Sequence, residues 1–436
     1  MSRITRQTTK LLATLSLVLC VSCSSQQDPA YQWLLGLVDG NPAAPAPTGS
    51  QDFGIDIQDE TAPVDFVFDT TRTILVNVQV LLDGTTGLPL DGTSVQVTMA
   101  SSDPSLPSTK TIFSAYTNPN GEVQGSFTVD ADTNCVHLRV EAFGKLYEAD
   151  IDIIKVTKIS RRISISFNGN VIELPDTDGD GVPDIADSYP TDPNRVSTIR
   201  IPATDYYSIA FEDLYPAQGD SDFNDYVIRA VFEEDLNKYG EVVRVRGRFT
   251  HVAKGAAYNH VLKIGLPHAE VANYTLQRIS TDGSTVEANL EGTGPAMDSL
   301  EVLPSSNTTI TSSNASKKNT TFQIGKSAKL EVILSKPISK IALGSAPYDT
   351  FIHVINTGKD IHMANRFFDS AGKDLYRDST GFPWALLIPG NFLWPYERIN
   401  IRTAYSQFQP WYESLGTTDL DWFRTPNLSD VFPATP

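Results

Sequence analysis

From about Val64 onward, apolar residues recur at every second position in short β-branched runs separated by turns. Successive side chains of a strand point to opposite faces, so this alternation builds half-buried strands and leaves little room for amphipathic helices. Thr73–Leu81 (TILVNVQVL) is the clearest run, followed by Val95–Met99, Glu122–Val129, Val136–Phe143, Asp150–Val156 and Arg162–Phe167. Asp83-Gly84, Asp91-Gly92 and Asn120-Gly121 supply the turn chemistry between strands. Strands spaced about 8–20 residues apart predict a β-sandwich over 63–168. Further on, Tyr206–Leu214, Tyr226–Phe232, Val242–His251, His260–Leu266 and Lys329–Ser335 alternate in the same way. They predict a second, larger β-rich domain over 197–436. The expected fold class is mostly β, and a chain of 436 residues has ample length for several domains.

The start of the chain has another texture. Basic Arg3, Arg6 and Lys10 precede the apolar run LLATLSLVLCV, which is too short for a bilayer span of about 20 residues. It ends in Val-Ser-Cys, with small Ser22 before Cys23. This resembles a bacterial lipoprotein signal over 1–22, with Cys23 as the lipidated residue. Cys20 stands where such signals usually carry Leu; the alternative is an ordinary secretory signal cleaved after Ser22. Removing three basic residues and no acids takes 34 basic side chains against 52 acidic, net −18, to −21. That balance argues against nucleic acid and against direct adsorption to anionic lipid. With Cys23 acylated, only Cys135 keeps a thiol, so no intramolecular disulfide is expected. Residues 23–62, with NPAAPAPTGSQ at their centre, have the composition of a flexible tether.

Between the two β regions, residues 171–196 form an Asp-rich linker built around Asp176–Asp187, DTDGDGVPDIAD. Carboxylates stand at positions one, three, five, nine and twelve, and Gly181 at six. Hard oxygen ligands at alternate residues, a glycine at the sharp turn and a backbone carbonyl at position seven are what a Ca²⁺ loop requires. Asp176, Asp178, Asp180, Asp184 and Asp187 are the candidate ligands, with Val182 serving through its carbonyl. Asp187 replaces the longer Glu at position twelve. The flanks are not helical: Val171–Leu174 reads as strand and Pro175 precedes the loop, which argues against a helix–loop–helix hand. The run DTDGDGVPDIADSYPTDPNR resembles a single thrombospondin type-three repeat.

A second acidic feature is FEDLYPAQGDSDFNDYVI, residues 211–228. Glu212 and Asp213 are expected to end one strand, with Asp220, Asp222, Asn224 and Asp225 beginning the next. Such a hairpin brings five carboxylates and an amide together as a second possible Ca²⁺ site. It lacks a glycine at the sixth position and is no copy of the first loop. The six histidines (His137, His251, His260, His268, His353, His362) show no paired metal-ligand spacing, and there is no nucleophile elbow or phosphate-cradling loop. An enzyme is not expected. Trp384, Phe392, Trp394, Tyr396, Phe408, Trp411, Tyr412 and Trp422 are interleaved with Leu, Ile and Pro, which favours core. The alternative is a glycan-stacking platform.

FEDLYPAQGDSDFNDYVI, with GFPWALLIPGNFLWPYERINIRTAYSQFQPW and the ending DLDWF, resembles the LruC domain family over roughly 197–430. YTNPNGEVQGSFTV resembles the Thr-Asp-x-x-Gly turns of bacterial immunoglobulin-like and prealbumin-like spacer modules, with Asn118 replacing the Asp. The LruC resemblance implies a bacterial surface or outer-membrane lipoprotein, often with a Ca²⁺-type Asp repeat ahead of the domain, and carries over no catalytic residue. The expected function is that of a lipid-anchored, Ca²⁺-stabilised outer-membrane lipoprotein with a structural or interaction role. Its partners are expected to be the membrane, through the anchor, and an unknown protein or glycan. The runner-up is a glycan-binding or glycan-processing protein using the aromatic end.

Overall fold

The computed structural model describes residues 62–433 apart from 64–65, 83–86, 101–108, 166–173, 256, 295–296 and 319–320. The signal, Cys23, the tether up to 61, the Asp83-Gly84 turn and all of the Val171–Leu174 run except Leu174 lie outside the described residues. The fold is mostly β. Among the described residues, no helix is long and apolar enough to cross a membrane.

The first unit contains β1 (Thr71–Leu82), β2 (Ser94–Ala100), β3 (Thr109–Tyr116), β4 (Glu122–Asp130), β5 (Cys135–Ala142), β6 (Lys145–Asp152) and β7 (Lys158–Ile165). They form two sheets, β4-β1-β7 and β3-β2-β5-β6, with β1 and β7 parallel. The alternation in β1 buries Ile74, Val76, Val78 and Val80 against Val95, Val97, Leu138 and Val140 of the facing sheet. Burial at about 25 cal/mol per Å² of apolar surface is what holds such a sandwich together.

The second unit contains β8 (Ser197–Ile201), β9 (Tyr207–Phe211), β10 (Tyr226–Leu236), β11 (Glu241–Ala253), β12 (His260–Leu266), β13 (Val271–Ile279), β14 (Val286–Thr293), β15 (Met297–Leu303), β16 (Ser327–Ser339), β17 (Asp349–Val354), β18 (Lys359–Ile361) and β19 (Ala385–Pro389). An eight-stranded sheet runs β14-β13-β16-β11-β10-β9-β19, with β8 also on β10, and a four-stranded sheet runs β15-β12-β17-β18. The centre of the large sheet is buried on both faces, and β9 and β19 are buried along their whole length. Tyr207, Ile209, Phe211, Ala385 and Leu387 face one core, towards the small sheet. Ala210, Val227, Leu386 and Ile388 face another, closed by an aromatic layer from residues 392–432. Short helices at Ile401–Ala404 and Phe408–Glu413 shape that layer.

A segment that precedes β1 also enters this layer. Ala62, Phe66 and Phe68 are buried there, Phe66 at 4.9 Å from Trp411 and Phe68 at 6.1 Å from Phe408, centroid to centroid. Ala62 N donates to Thr380 O at 2.8 Å, and Thr70 Oγ1 donates to Leu387 O. The two units touch elsewhere as well. Tyr116 N donates to Lys238 O at 2.7 Å, Ser345 Oγ lies 2.9 Å from Thr73 Oγ1, and Arg424 pairs with Asp132 at 2.9 Å.

Candidate metal centres

The linker loop folds around its own carboxylates. Asp176 Oδ1 accepts from Gly179 N at 2.8 Å and its Oδ2 from Gly181 N at 3.0 Å, while Asp180 Oδ1 accepts from Val182 N at 2.7 Å. Gly181 has φ +94°, a backbone conformation that side chains resist. These turns bring one oxygen each of Asp176, Asp178 and Asp180 within 4.8 Å of one another. Asp178 Oδ2, Asp180 Oδ2 and Asp187 Oδ2 are sealed from solvent and have no hydrogen-bond partner. Asp187 is only 8% exposed. Asp184 is turned differently, accepting from Thr177 N and Thr177 Oγ1, both at 2.7 Å. It braces the loop and stands apart from the three-carboxylate group. Burial, followed by neighbouring carboxylates, raises Asp180 and Asp187 above the usual range, against the hydrogen bonds from Val182 N and Tyr189 N. A donor set of hard oxygens with orphaned, buried lone pairs fits a Ca²⁺ ion. Val182 itself is buried with Tyr116 of the sandwich and Val196, and Lys238 Nζ donates to Asp180 O at 2.5 Å. The loop is thereby fastened to both units.

The second acidic stretch differs in part from its sequence reading. Tyr226 does pair with Phe211, so β9 and β10 form an antiparallel hairpin. Asp220, Asp222, Asn224 and Asp225, however, precede β10 and lie in the connecting loop. Ser221 and Phe223 adopt φ +57° and +49°, which interrupts extended backbone before Tyr226. Within the loop, one oxygen each of Glu212, Asp220 and Asp222 lie within 4.8 Å of one another. Glu212 Oε1 accepts from Phe223 N at 2.5 Å, and Asp222 Oδ2 accepts from Arg398 N at 2.7 Å. Asp213 points elsewhere, with Oδ2 at 2.9 Å from His260 Nε2, and Asp225 Oδ2 accepts from Asp213 N at 2.9 Å. Asn224 donates through Nδ2 to Pro395 O at 3.1 Å, and its Oδ1 lies buried against Gly255. Burial first, then mutual repulsion, raises Glu212 and Asp225 well above the usual carboxylate range and pushes Asp222 up to about 8.

Of the acids singled out in the sequence, Asp176, Asp178 and Asp180 converge, as do Glu212, Asp220 and Asp222. Asp184, Asp213 and Asp225 turn to other partners, and what surrounds the two groups is not legible in the sequence. His260, Gly255, Pro395 and Arg398 lie far away along the chain, and no local spacing signals them. The eight aromatic residues considered as a glycan platform are all buried. Trp394, Trp411 and Trp422 are at 0%, 1% and 0% exposure, so these rings present no face to a sugar. The alternative built on them is corrected: they are core.

A family model described as a domain of unknown function, DUF4842, matches residues 240–423. The match opens at β11 and ends in the aromatic layer, leaving both acidic loops outside it. No curated protein matches the chain. A crystal structure of a Bacteroides ovatus protein, classed provisionally as a lipoprotein, superposes with a TM-score of 0.50 at 17% identity. The alignment covers 77% of this chain and 98% of that one, and the likeness is one of fold. A 3-chlorocatechol 1,2-dioxygenase from Rhodococcus opacus aligns over 28% of this chain and 70% of its own, at TM-score 0.16 and 10% identity. The major pilin SpaA of Corynebacterium diphtheriae aligns over 72% and 67%, at TM-score 0.17 and 8% identity. Neither score supports an argument.

Proposed function

We propose that this chain is a Ca²⁺-stabilised, lipid-anchored lipoprotein of the bacterial outer membrane, of the LruC type, with a structural or interaction role. The loop 176–187, read as a thrombospondin-type-three-like repeat, clamps the junction between the sandwich and the larger unit. The observation that carries this reading is the set of sealed, unpartnered oxygens on Asp178, Asp180 and Asp187. Crowded carboxylates without a cation cost stability, and Ca²⁺ offsets that cost. The lipoprotein name of the Bacteroides ovatus structure agrees with the Ser22–Cys23 junction. No nucleic-acid partner and no catalytic activity form part of this reading, and a protein or glycan partner would bind a surface away from the aromatic layer.

Calorimetry with Ca²⁺ on the full chain tests it. Extracellular modules bind with a Kd of roughly 10⁻⁴ to 10⁻³ M. At about 1 mM Ca²⁺, such a site stabilises its fold by about 0.4–1.4 kcal/mol. Asp178→Ala with Asp180→Ala should remove one bound ion and expose 175–195 to proteolysis. An isotherm identical to that of the unaltered protein would sink the reading of this loop.

A further inference from the structure

We propose that Glu212, Asp220 and Asp222 form a second Ca²⁺ site, closed by the loop between β9 and β10. The inference stands apart from the reading of the 176–187 loop and uses none of its residues. Glu212 follows directly on β9, and Asp220 and Asp222 return towards β10, so the hairpin itself brings their oxygens within 4.8 Å of one another. Proximity of acids alone does not make a site. The independent observation is Glu212 Oε2. Glu212 is 2% exposed, and its Oε1 is fixed by Phe223 N, yet Oε2 has no hydrogen-bond partner. Gly219 closes directly over that oxygen, where a Cβ would stand 2.3 Å away. A carboxylate oxygen held in such a place has lost its water without gaining a donor.

Among the described residues, no basic side chain serves the cluster. The charges that act most on Glu212 are Asp222, Asp220 and Asp213, and those on Asp222 are Asp220 and Glu397. The imidazole of His260 is turned to Asp213. Three carboxylates without imidazole or thiolate suit a hard cation. Irregular loop geometry suits Ca²⁺ better than Mg²⁺, which demands a near-ideal octahedron. Exposed Asp220 gives the ion a way in from solvent. The site has a structural reach too. Arg398 N donates to Asp222, Asn400 Nδ2 to Asp220 O at 3.0 Å, and Ile401 N to Ser221 O at 2.8 Å. An ion here therefore ties the central sheet to the aromatic layer.

The test uses the full chain carrying Asp178→Ala and Asp180→Ala, which silences the linker loop. Titrated with Ca²⁺ up to about 10 mM, well above the usual Kd range of extracellular sites, it should still bind one ion and melt at a higher temperature when loaded. Adding Asp220→Ala, at an exposed position that folding tolerates, should weaken the remaining binding by about tenfold or more, the loss of one of three charged ligands. Glu212→Gln, nearly isosteric, should abolish it. Absence of any binding in the silenced chain would overturn the proposal and identify the cluster as carboxylic acids sharing protons. Binding left unchanged by both Asp220→Ala and Glu212→Gln would overturn it equally. Failure of the 176–187 reading shows instead as one isotherm shared by the wild-type and silenced chains, so the two readings fail separately.

Discussion

Asp130, at the end of β4, is pushed up to about 6, first by burial and then by Asp132, against the pull of Arg424. Asp205 adds to the repulsion from the larger unit, so this one carboxyl senses the boundary between the two units. Its folded value exceeds its unfolded one, and the folded chain therefore holds the proton more tightly. The resulting stabilisation is complete below about pH 4 and is lost as pH rises through about 6. A carboxyl held near 6 instead of near 4 represents about 3 kcal/mol, which partial solvent screening reduces to about 1–2 kcal/mol. Asp130→Asn, which stays neutral, should be more stable than wild type by that amount at about pH 7.5 and equal to it at about pH 4. Denaturant melts at both pH values, in saturating Ca²⁺, check this. A constant difference across pH would remove Asp130 as the titrating group. At this scale the sequence is a partial guide. The spacing of Asp176, Asp178 and Asp180 announces their convergence, whereas the diversion of Asp213 to His260 depends on β12 lying beside the hairpin.

The elements divide along similar lines. β1, β2, β4, β10 and β11 follow from alternation because one periodic face meets a core. Alternation places a strand at Asp150–Val156, but β6 spans Lys145–Asp152. It pairs with β5 through a tight turn in which Ala142 faces Lys145 and Phe143 takes φ +54°. Gly144, at φ +68°, is the only conventional turn residue of the pair, and Phe143 is a poor resident of the left-handed region, so the two-residue turn is weakly marked in the sequence. The segment before β1 is equally hidden. Phe66 and Phe68 read as the first residues of the sandwich, yet they pack on Trp411, Phe408 and Tyr412, more than three hundred positions away. Each ring removed from a packed core costs about 3–5 kcal/mol. Phe66→Ala and Phe68→Ala should therefore each lower stability on that scale, with an early change in tryptophan fluorescence as the aromatic layer loosens. A loss below about 1 kcal/mol for both would show that the segment rests on the layer without supporting it.

At the scale of the whole molecule, the proposed anchor predicts partition into detergent and release to the aqueous phase on Cys23→Ala. Acyl chains contribute about 0.8 kcal/mol per buried CH₂, and stable anchoring takes more than one chain. Unchanged partition of the variant, followed by phase separation and immunoblotting, would remove Cys23 as the attachment point. A chain tethered from its N-terminal side and built as sandwich, linker and large unit in series suggests that the sandwich stands next to the tether. The docking of Ala62, Phe66 and Phe68 changes that order. In the proposed tethered chain, a pull from the N-terminal side would meet the Ala62–Thr380 hydrogen bond, the Phe66 and Phe68 rings and the Thr70–Leu387 hydrogen bond on the larger unit before it meets β1. On that reading the segment acts as a latch ahead of the sandwich, and load applied at the anchor is expected to open the aromatic layer beside Trp411 first.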